Sequence, residues 1–310
     1  MSTVPHNVLT RIEVIVILTK SIIVTGASSG IGKETAIRLI ETGYQVFGLA
    51  RRYDKLSLGQ ILQSRTIKTK SIDKEVYVPL EFDITKPVSF DQILDRIISY
   101  THDSEIYGLV NNAGYLEPGA IEDLTMENLR NQFETNFFGH VDFTKRVLKL
   151  MKERNRSGCR IVIVSSMAGL ISLPLIGAYA ASKHALEAVF DALRMELWDT
   201  GFKIITVNPG VIDTCIYETI QLKTKGILNA QDCNKTRFAD AYNRYLLRSN
   251  HSGLNPTVVA DTIVKAIGSP RPRHRYFTGS GKEMLSIRLL PFIPHKILLP
   301  LLANGIRSKS

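Results

Sequence analysis

The residues best placed to do chemistry are a serine, a tyrosine and a lysine in the stretch Ser166 to Lys183, SMAGLISLPLIGAYAASK. Tyr179 and Lys183 stand four apart in AYAASKHALEAVFDALRMEL, a helical run, so both side chains fall on one face. A free tyrosine titrates at about 10 and exchanges protons poorly near neutrality. An ammonium held beside it favours the phenolate and is expected to lower that value, which makes the pair a proton donor and acceptor. Ser166 ends the β-branched run RIVIVSS, which reads as a buried parallel strand. A hydroxyl at the carboxyl end of such a strand emerges where open α/β sheets bind ligands, and there it can hold a carbonyl oxygen. About one Tyr-x-x-x-Lys pair arises by chance in a chain of this size, so the weight rests on agreement with the other signals. Of the eleven tyrosines only Tyr179 has a lysine four residues on.

The elements that must position these groups alternate along the chain. KSIIVTGASSGIGKETAIRLIETG, starting at Lys20, is a β-branched strand, a glycine-rich turn and an amphipathic helix stopped by Gly43. Gly26, Gly30 and Gly32 lack the Cβ atoms that would keep backbone from a pyrophosphate, and the helix N-terminus offers unpaired N–H groups to it. The spacing TGxxxGxG is neither GxGxxG nor a P-loop, but a plain strand-to-helix turn would not need three glycines. The next strand, YQVFGLA, ends in Ala50, Arg51 and Arg52. An acid at that position would bond a ribose 2′-hydroxyl and repel a 2′-phosphate. Two guanidinium forks favour the phosphate, hence NADP over NAD, unless they sit on a solvated loop.

A helix and a basic loop are expected through Lys74, then the strand EVYVPLEFD ending at Asp83. That carboxylate suits either an adenine amino group or the cap of the helix begun by Thr85 and Pro87. Strand IYGLV runs into Asn111, Asn112, Ala113 and Gly114, small residues and amides that can turn sharply under a flat ligand. A long helix is predicted from about Met126 to Arg154, with Asn136 mildly unfavourable inside it and so held by a packing or hydrogen-bonding need. Strand FKIITVNPG follows the tyrosine helix, and its Asn208-Pro209-Gly210 turn could bring Thr214 to a bound ring. Residues 212–255 read as a lid or binding loop. Helix TVVADTIVKAIG and strand RYFTG complete the sheet.

Composition bounds the rest. A chain of 310 residues with 44% hydrophobic content and no low-complexity linker reads as one α/β domain. Cys159, Cys215 and Cys233 lack paired metal spacing, which points to a reducing, cytoplasmic setting and away from zinc or disulfides. The net charge of +10 is dispersed, its densest cluster being RPRHR at Arg271 to Arg275, so nucleic acid is not the expected partner. A basic surface suits an anionic cofactor or an anionic membrane face. Ile12 to Leu18 is apolar but too short to cross a membrane and lacks a cleavage site. It is an added strand or surface segment, or it precedes the true start. Pro291, Pro294 and Pro300 break the apolar, basic tail, which therefore lies in a membrane interface or packs over the cleft or a partner subunit. The expected organisation is an extension over 1–19, a Rossmann-type unit over 20–281 and a tail over 282–310.

Taken together, TGASSGIG, NNAG, Asn136, Ser166 thirteen residues before Tyr179, YAASK and NPG resemble the short-chain dehydrogenase/reductases in their compact single-domain branch, over roughly Lys20 to Gly279. The resemblance implies a Rossmann fold, a doubly wound seven-stranded parallel sheet in the order 3-2-1-4-5-6-7, with helices on both faces. It makes Tyr179 the general acid/base, Lys183 the residue that lowers its pKa and holds the nicotinamide ribose, Ser166 the substrate-oxygen donor and Asn136 the proton-relay asparagine. Cofactor contacts are implied at Gly26, Ser28, Gly30, Ile31, Gly32, Arg51, Arg52, Asp83, Ile84, Asn112, Ala113, Gly114, Pro209, Gly210, Val211 and Thr214, besides Tyr179 and Lys183. The activity implied is NADP(H)-dependent interconversion of a carbonyl and an alcohol. ISLPLIGA and the apolar tail favour a lipophilic substrate, of steroid, retinoid or long-chain lipid type. Relatives of this type pair into dimers or tetramers. The rivals are an NADP-binding sensor without turnover, a membrane-surface scaffold, and an extended-branch epimerase or dehydratase, for which this chain lacks the larger C-terminal domain.

Overall fold

The structure is a computed structural model describing residues 20–51, 76–101, 105–154, 158–214, 216–229, 241, 253–289 and 292–304. The segment 1–19, Arg52, the helix and loop expected before Lys74, Cys215, Cys233 and most of the expected 212–255 loop lie outside the described residues.

The strands are β1 Lys20–Thr25, β2 Gln45–Ala50, β3 Tyr77–Glu81, β4 Glu105–Asn111, β5 Arg160–Val164, β6 Lys203–Pro209 and β7 Arg275–Thr278. They form one seven-stranded sheet in the order β3-β2-β1-β4-β5-β6-β7, with every neighbouring pair parallel. The described helices are α1 Gly30–Glu41, α2 Phe90–Thr101, α3 Met126–Phe133, α4 Gly139–Arg154, α5 Gly177–Glu196, α6 Ile216–Asn229, α7 Pro256–Gly268, α8 Gly281–Leu289 and α9 His295–Asn304. This is the Rossmann-like α/β arrangement that the alternation of strand-like and helix-like segments led us to expect.

Side chains alternate across each strand, so β1 divides its apolar residues between two cores. Ile22 and Val24 join Leu39 and Ile40 of α1 and Val259 and Ile263 of α7 on one face. Ile23 joins Phe90 and Ile97 of α2, Phe143 and Val147 of α4, and Phe190 of α5 on the other. There Phe82 lies 5.2 Å from Phe90 and 4.7 Å from Phe143, ring centre to ring centre. Each such buried ring contributes about 1.5–3 kcal/mol over an exposed one. Pro79 falls in β3, an edge strand, where its missing N–H leaves no internal ladder bond unmade. Cys159 is buried, with its sulfur 3.8 Å from the Ile106 carbonyl oxygen.

One element departs from the expected pattern. The run from Met126 to Arg154 is not one α-helix: a π-helical turn, Glu134–Phe138, separates α3 from α4. The wide turn places the buried Asn136 amide on Tyr115, where it accepts from the backbone N–H at 3.1 Å and donates to the carbonyl at 2.9 Å. Phe133, Phe137 and Phe138 cluster around it, the last half exposed. Such single-turn bulges gather at functional sites.

The sheet's carboxyl edge is tied by a residue that the sequence reading passed over. The buried Thr25 hydroxyl accepts from the N–H groups of Asn112, at 2.9 Å, and Ala113, at 3.0 Å, and lies 3.3 Å from the Val110 carbonyl oxygen, to which it donates. Thr25→Val keeps the shape of the side chain and leaves two N–H groups without an acceptor, which is expected to cost about 1–3 kcal/mol. Urea denaturation reads this directly, and an unshifted midpoint would remove the hydroxyl from this role.

Candidate active site

Two adjoining cavities open along the carboxyl ends of the strands. The first, of about 620 Å³, takes its walls from the ends of β1, β2 and β4 and the start of α1. It is lined by Gly26, Ser28, Gly30, Ile31, Arg51, Asp83, Ile84, Asn112, Ala113, Gly114 and Thr214. Gly26 turns with φ +68°, and a Cβ on Gly32 would stand 2.2 Å from the Gly26 carbonyl oxygen, so strand and helix approach as closely as backbone permits. Ser29 precedes α1 in an extended conformation and its hydroxyl makes no capping bond, which leaves the helix N-terminus open to an anion. Arg51 is exposed at the end of β2, beside the small, buried Ala50. An uncapped helix end, a close-packed glycine turn and a guanidinium at this spacing fit a dinucleotide.

Asp83 lines the cavity and holds a turn at Thr85; it does not cap the short helix Pro87–Ser89, whose start at Lys86 makes no side-chain cap bond. Its Oδ1 accepts from the Thr85 N–H at 3.0 Å and the Thr85 hydroxyl at 2.8 Å. Burial pushes the Asp83 carboxyl up, but the two Thr85 hydrogen bonds and the charges of Arg51 and Lys86 outweigh it and hold it below its ordinary value. The NNAG turn is held by β1 and α4. Asn112 Nδ2 donates to the carbonyls of Thr25 and Gly26, at 3.0 and 3.3 Å. His140, buried in α4, bonds the Ala113 carbonyl oxygen through Nε2 at 2.6 Å, while its Nδ1 lies 3.1 Å from the Asn111 side-chain oxygen. Burial, reinforced by the nearby Lys183 ammonium, pushes His140 down to about 3, so it serves this turn as a neutral imidazole.

The second cavity, of about 530 Å³, shares Ile31, Asn112, Gly114, Tyr115, Thr214 and Ile216 with the first and brings Ser166, Tyr179 and Lys183 onto one wall. Pro209, Gly210 and Val211 line this cavity, not the first. Ser166 follows β5 and caps the short turn Met167–Gly169 by accepting from the Ala168 N–H at 3.0 Å. Its side chain also hydrogen-bonds the Tyr179 phenol. Lys183 is buried, its Nζ 2.8 Å from the Val164 carbonyl oxygen and 5.8 Å from the centre of the Tyr179 ring.

The electrostatics overturn one expectation. Tyr179 is not more acidic than a free tyrosine: burial raises it above its ordinary 10, and the bond with Ser166 pulls the other way without cancelling it. The reason lies with the lysine, whose ammonium is directed to a carbonyl and is itself pushed down to about 8 by burial, with the Glu187 charge opposing that fall. Asn136 lines neither cavity. Its amide is engaged by Tyr115 and, at 3.3 Å, by the Ser182 hydroxyl, which donates to the Tyr179 carbonyl at 2.7 Å. His184 bonds the Ala180 carbonyl within its own helix, as a structural residue does.

The tail packs over the cleft, one of the three placements considered. Lys282, Glu283, Ser286 and Ile287 of α8 and Leu302 of α9 line the second cavity. Ser280 and Glu283 form a capping box at the start of α8, with Glu283 accepting from the Ser280 N–H at 2.7 Å. The same carboxylate accepts from the Val211 N–H at 2.8 Å, joining the tail to the turn after β6. The signature Ser-x-x-Glu was present in the sequence; its partner across the cleft was not legible there. Helix α6 adds Ile216 and Ile220, and its Lys223 pairs with the buried Glu117 and lies 5.0 Å over the Tyr115 ring. Among the described residues no helix is long and apolar enough to cross a membrane.

Known proteins share this arrangement. The family profile described as short chain dehydrogenase matches residues 20–225. The chain is 33% identical over 260 residues to the uncharacterized oxidoreductase YbbO of Escherichia coli K12, covering 84% of this chain and 86% of that one. It is 31% identical over 280 residues to an NADPH-dependent 3-dehydrocapnine reductase of Ornithobacterium rhinotracheale, covering 89% and 93%. Among solved structures, a single-substitution variant of actinorhodin polyketide ketoreductase with NADPH superposes with a TM-score of 0.69 at 26% identity, covering 85% and 97%.

Proposed function

The chain belongs to the short-chain dehydrogenase family and is a dehydrogenase/reductase whose fold binds a nicotinamide cofactor, and on that footing we propose that it reduces a lipophilic ketone or aldehyde with NADPH, using Tyr179 as the proton donor. The observation that carries the reading is the shared wall of Ser166, Tyr179 and Lys183, set in a cavity continuous with the glycine turn. A bound nicotinamide supplies the hydride. Ser166 holds the carbonyl oxygen, and the Tyr179 phenol gives its proton to that oxygen as negative charge develops there. The Lys183 ammonium, 5.8 Å from the ring centre, stabilises the phenolate left behind and would hold the nicotinamide ribose. A phenol raised above its ordinary value carries its proton at neutral pH and so is suited to give it to a ketone oxygen. Asn136 acts through position: it fixes Tyr115 and, by way of Ser182, the backbone of Tyr179.

For NADP over NAD the support is Arg51 at the rim of the first cavity, with Ala50 where an acid would bond the ribose. For a lipophilic substrate it is the apolar wall of the second cavity: Leu116, Ile171, Ile176, Ile220, Ile287 and Leu302 offer no partner to a charged or heavily hydroxylated molecule. The similarity to a polyketide ketoreductase and to a 3-dehydrocapnine reductase points the same way. The outer side of the tail exposes Leu285, Leu289, Phe292, Ile297 and Leu299, which suits peripheral contact with a membrane from which such a substrate would come.

Three measurements test this reading. Tyr179→Phe is expected to lose about 10²–10⁴-fold in NADPH consumption on a ketone panel while binding NADPH nearly as the parent does by fluorescence titration; near-normal turnover would take the phenol out of the mechanism. Arg51→Ala, losing a charge-assisted contact, should raise KM for NADPH about tenfold or more and leave NADH little changed; equal effects on both cofactors would place the guanidinium away from the 2′-phosphate. Joint replacement of Leu285, Phe292 and Leu299 by glutamate should abolish flotation with anionic liposomes, and retained flotation would assign membrane contact elsewhere.

A further inference from the structure

Glu187 is a buried carboxylate for which the reaction as described has no use. It lies one helical turn beyond Lys183 on α5, so the two side chains share a face. Two strands close on it. Asn208, at the end of β6, donates from Nδ2 to Glu187 Oε1 at 2.5 Å and with the same nitrogen to the Ser166 carbonyl at 3.1 Å. Arg275, at the start of β7, donates from Nη2 to Glu187 Oε2 at 2.7 Å and to Asp191 Oδ2 at 3.3 Å. Asp191 also pairs with Arg194. A row of alternating charge thus runs from the cavity wall to the last strand: Lys183, Glu187, Arg275, Asp191, Arg194. Of these only Lys183 lines the cavity.

The other groups around the Lys183 ammonium do little to hold its charge. His140 approaches from α4 as a neutral ring, Tyr179 from its own helix is a protonated phenol, and β5 offers the Val164 carbonyl. Lys282 and Glu283 of α8, with opposite charges, line the same cavity. Resting on the reading of Lys183 as the cation beside the proton donor, we infer that Glu187 is a positioning residue, holding that ammonium charged and steadying the Ser166 segment through Asn208, while Arg275 draws off part of its field. Burial lowers Lys183 and Glu187 acts against it, which agrees in sign.

Charge changes at the two ends of the Glu187–Arg275 pair then have opposite effects. Glu187→Gln removes the anion and keeps an oxygen for Asn208 or Arg275 to bond, so Lys183 should lose its proton at lower pH. Arg275→Gln frees the Glu187 field, so Lys183 should keep its proton to higher pH. A reaction that needs the ammonium loses rate as pH rises through its midpoint. The alkaline limb of kcat should therefore move down by about one unit in Glu187→Gln, a tenfold loss at a fixed pH above the limb, and move up in Arg275→Gln. A merely structural pair would lower rate or Tm in both variants without moving the limb in opposite directions.

The midpoint of Lys183 itself gives a readout that needs no substrate: competitive labelling with acetic anhydride across the pH range, with Lys183 followed by mass spectrometry. The expected order of midpoints is Glu187→Gln, then parent, then Arg275→Gln. Coincident midpoints, or one in Glu187→Gln that is not lower, overturn the inference. Arg275 is partly exposed at the sheet edge, so Arg275→Gln decides the matter by itself if Glu187→Gln does not fold. A parent protein that turns over no ketone would overturn the proposed reduction, whereas the labelling order would still judge Glu187.

Discussion

The arrangement depends on one costly act, the burial of the Lys183 ammonium against the end of a central parallel strand. Burial moves this lysine from 10.5 to about 8, which corresponds to roughly 3 kcal/mol set against the folded state while the group is charged. The sign follows from the lowered value: the cost is fully present below pH 8 and fades as pH rises toward 10.5, where both folded and unfolded chains lose the proton. That figure is what is left after the carboxylate of Glu187, one turn away, has acted against burial, and the ammonium donates to a carbonyl at 2.8 Å. The apolar cores on the two faces of the sheet must outweigh it. A fold that needed only to be stable would place a methionine there.

Much of the surrounding structure follows from keeping that site dry without adding a second unmatched charge. His140 lies close enough to feel the ammonium, and its neutrality lets its one N–H brace the Ala113 carbonyl without a like-charge penalty. The π-helical turn carries Asn136 to Tyr115, fixing the turn that joins the two cavities, while Thr25 fixes it from the strand side. On the open side α8 is drawn to the turn after β6 by Glu283, and α6 is held to the rim by Lys223 and Glu117. Polar groups secure the edges of the cleft and apolar ones form most of its wall.

What could be read without coordinates was whatever chemistry is local in the chain. The turn Gly26 to Gly32 and the pair Tyr179 and Lys183 announce themselves because spacing alone sets their geometry. Sheet order followed from the family resemblance alone. The interruption of the Met126 to Arg154 helix was signalled only as an asparagine in an uncomfortable place. Contacts between residues far apart in sequence were invisible: Thr25 with Asn112, Glu187 with Arg275, Glu283 with Val211. The error about Tyr179 has the same origin. Sequence showed that a cation was near, and nothing in it showed how little water would be there; desolvation decided the sign.

That sign bears on the chemistry. A tyrosine shifted down would exist partly as phenolate and could take a proton from an alcohol, whereas one shifted up begins each cycle as an acid. The same dry wall that raises Tyr179 lowers Lys183, so the neutral phenol and the neutral amine are both favoured by burial and only the lysine has a nearby anion to resist it. Removing a proton from the phenol creates an anion beside the ammonium, and the pair together then carries no net charge. In the proposed donation to a substrate oxygen, phenolate and ammonium would offset one another in the dry wall, where Glu187 is the anion that opposes the lowering of Lys183 beforehand. Burial is therefore what favours the protonated phenol at rest, and the neighbouring ammonium limits what giving up that proton would cost.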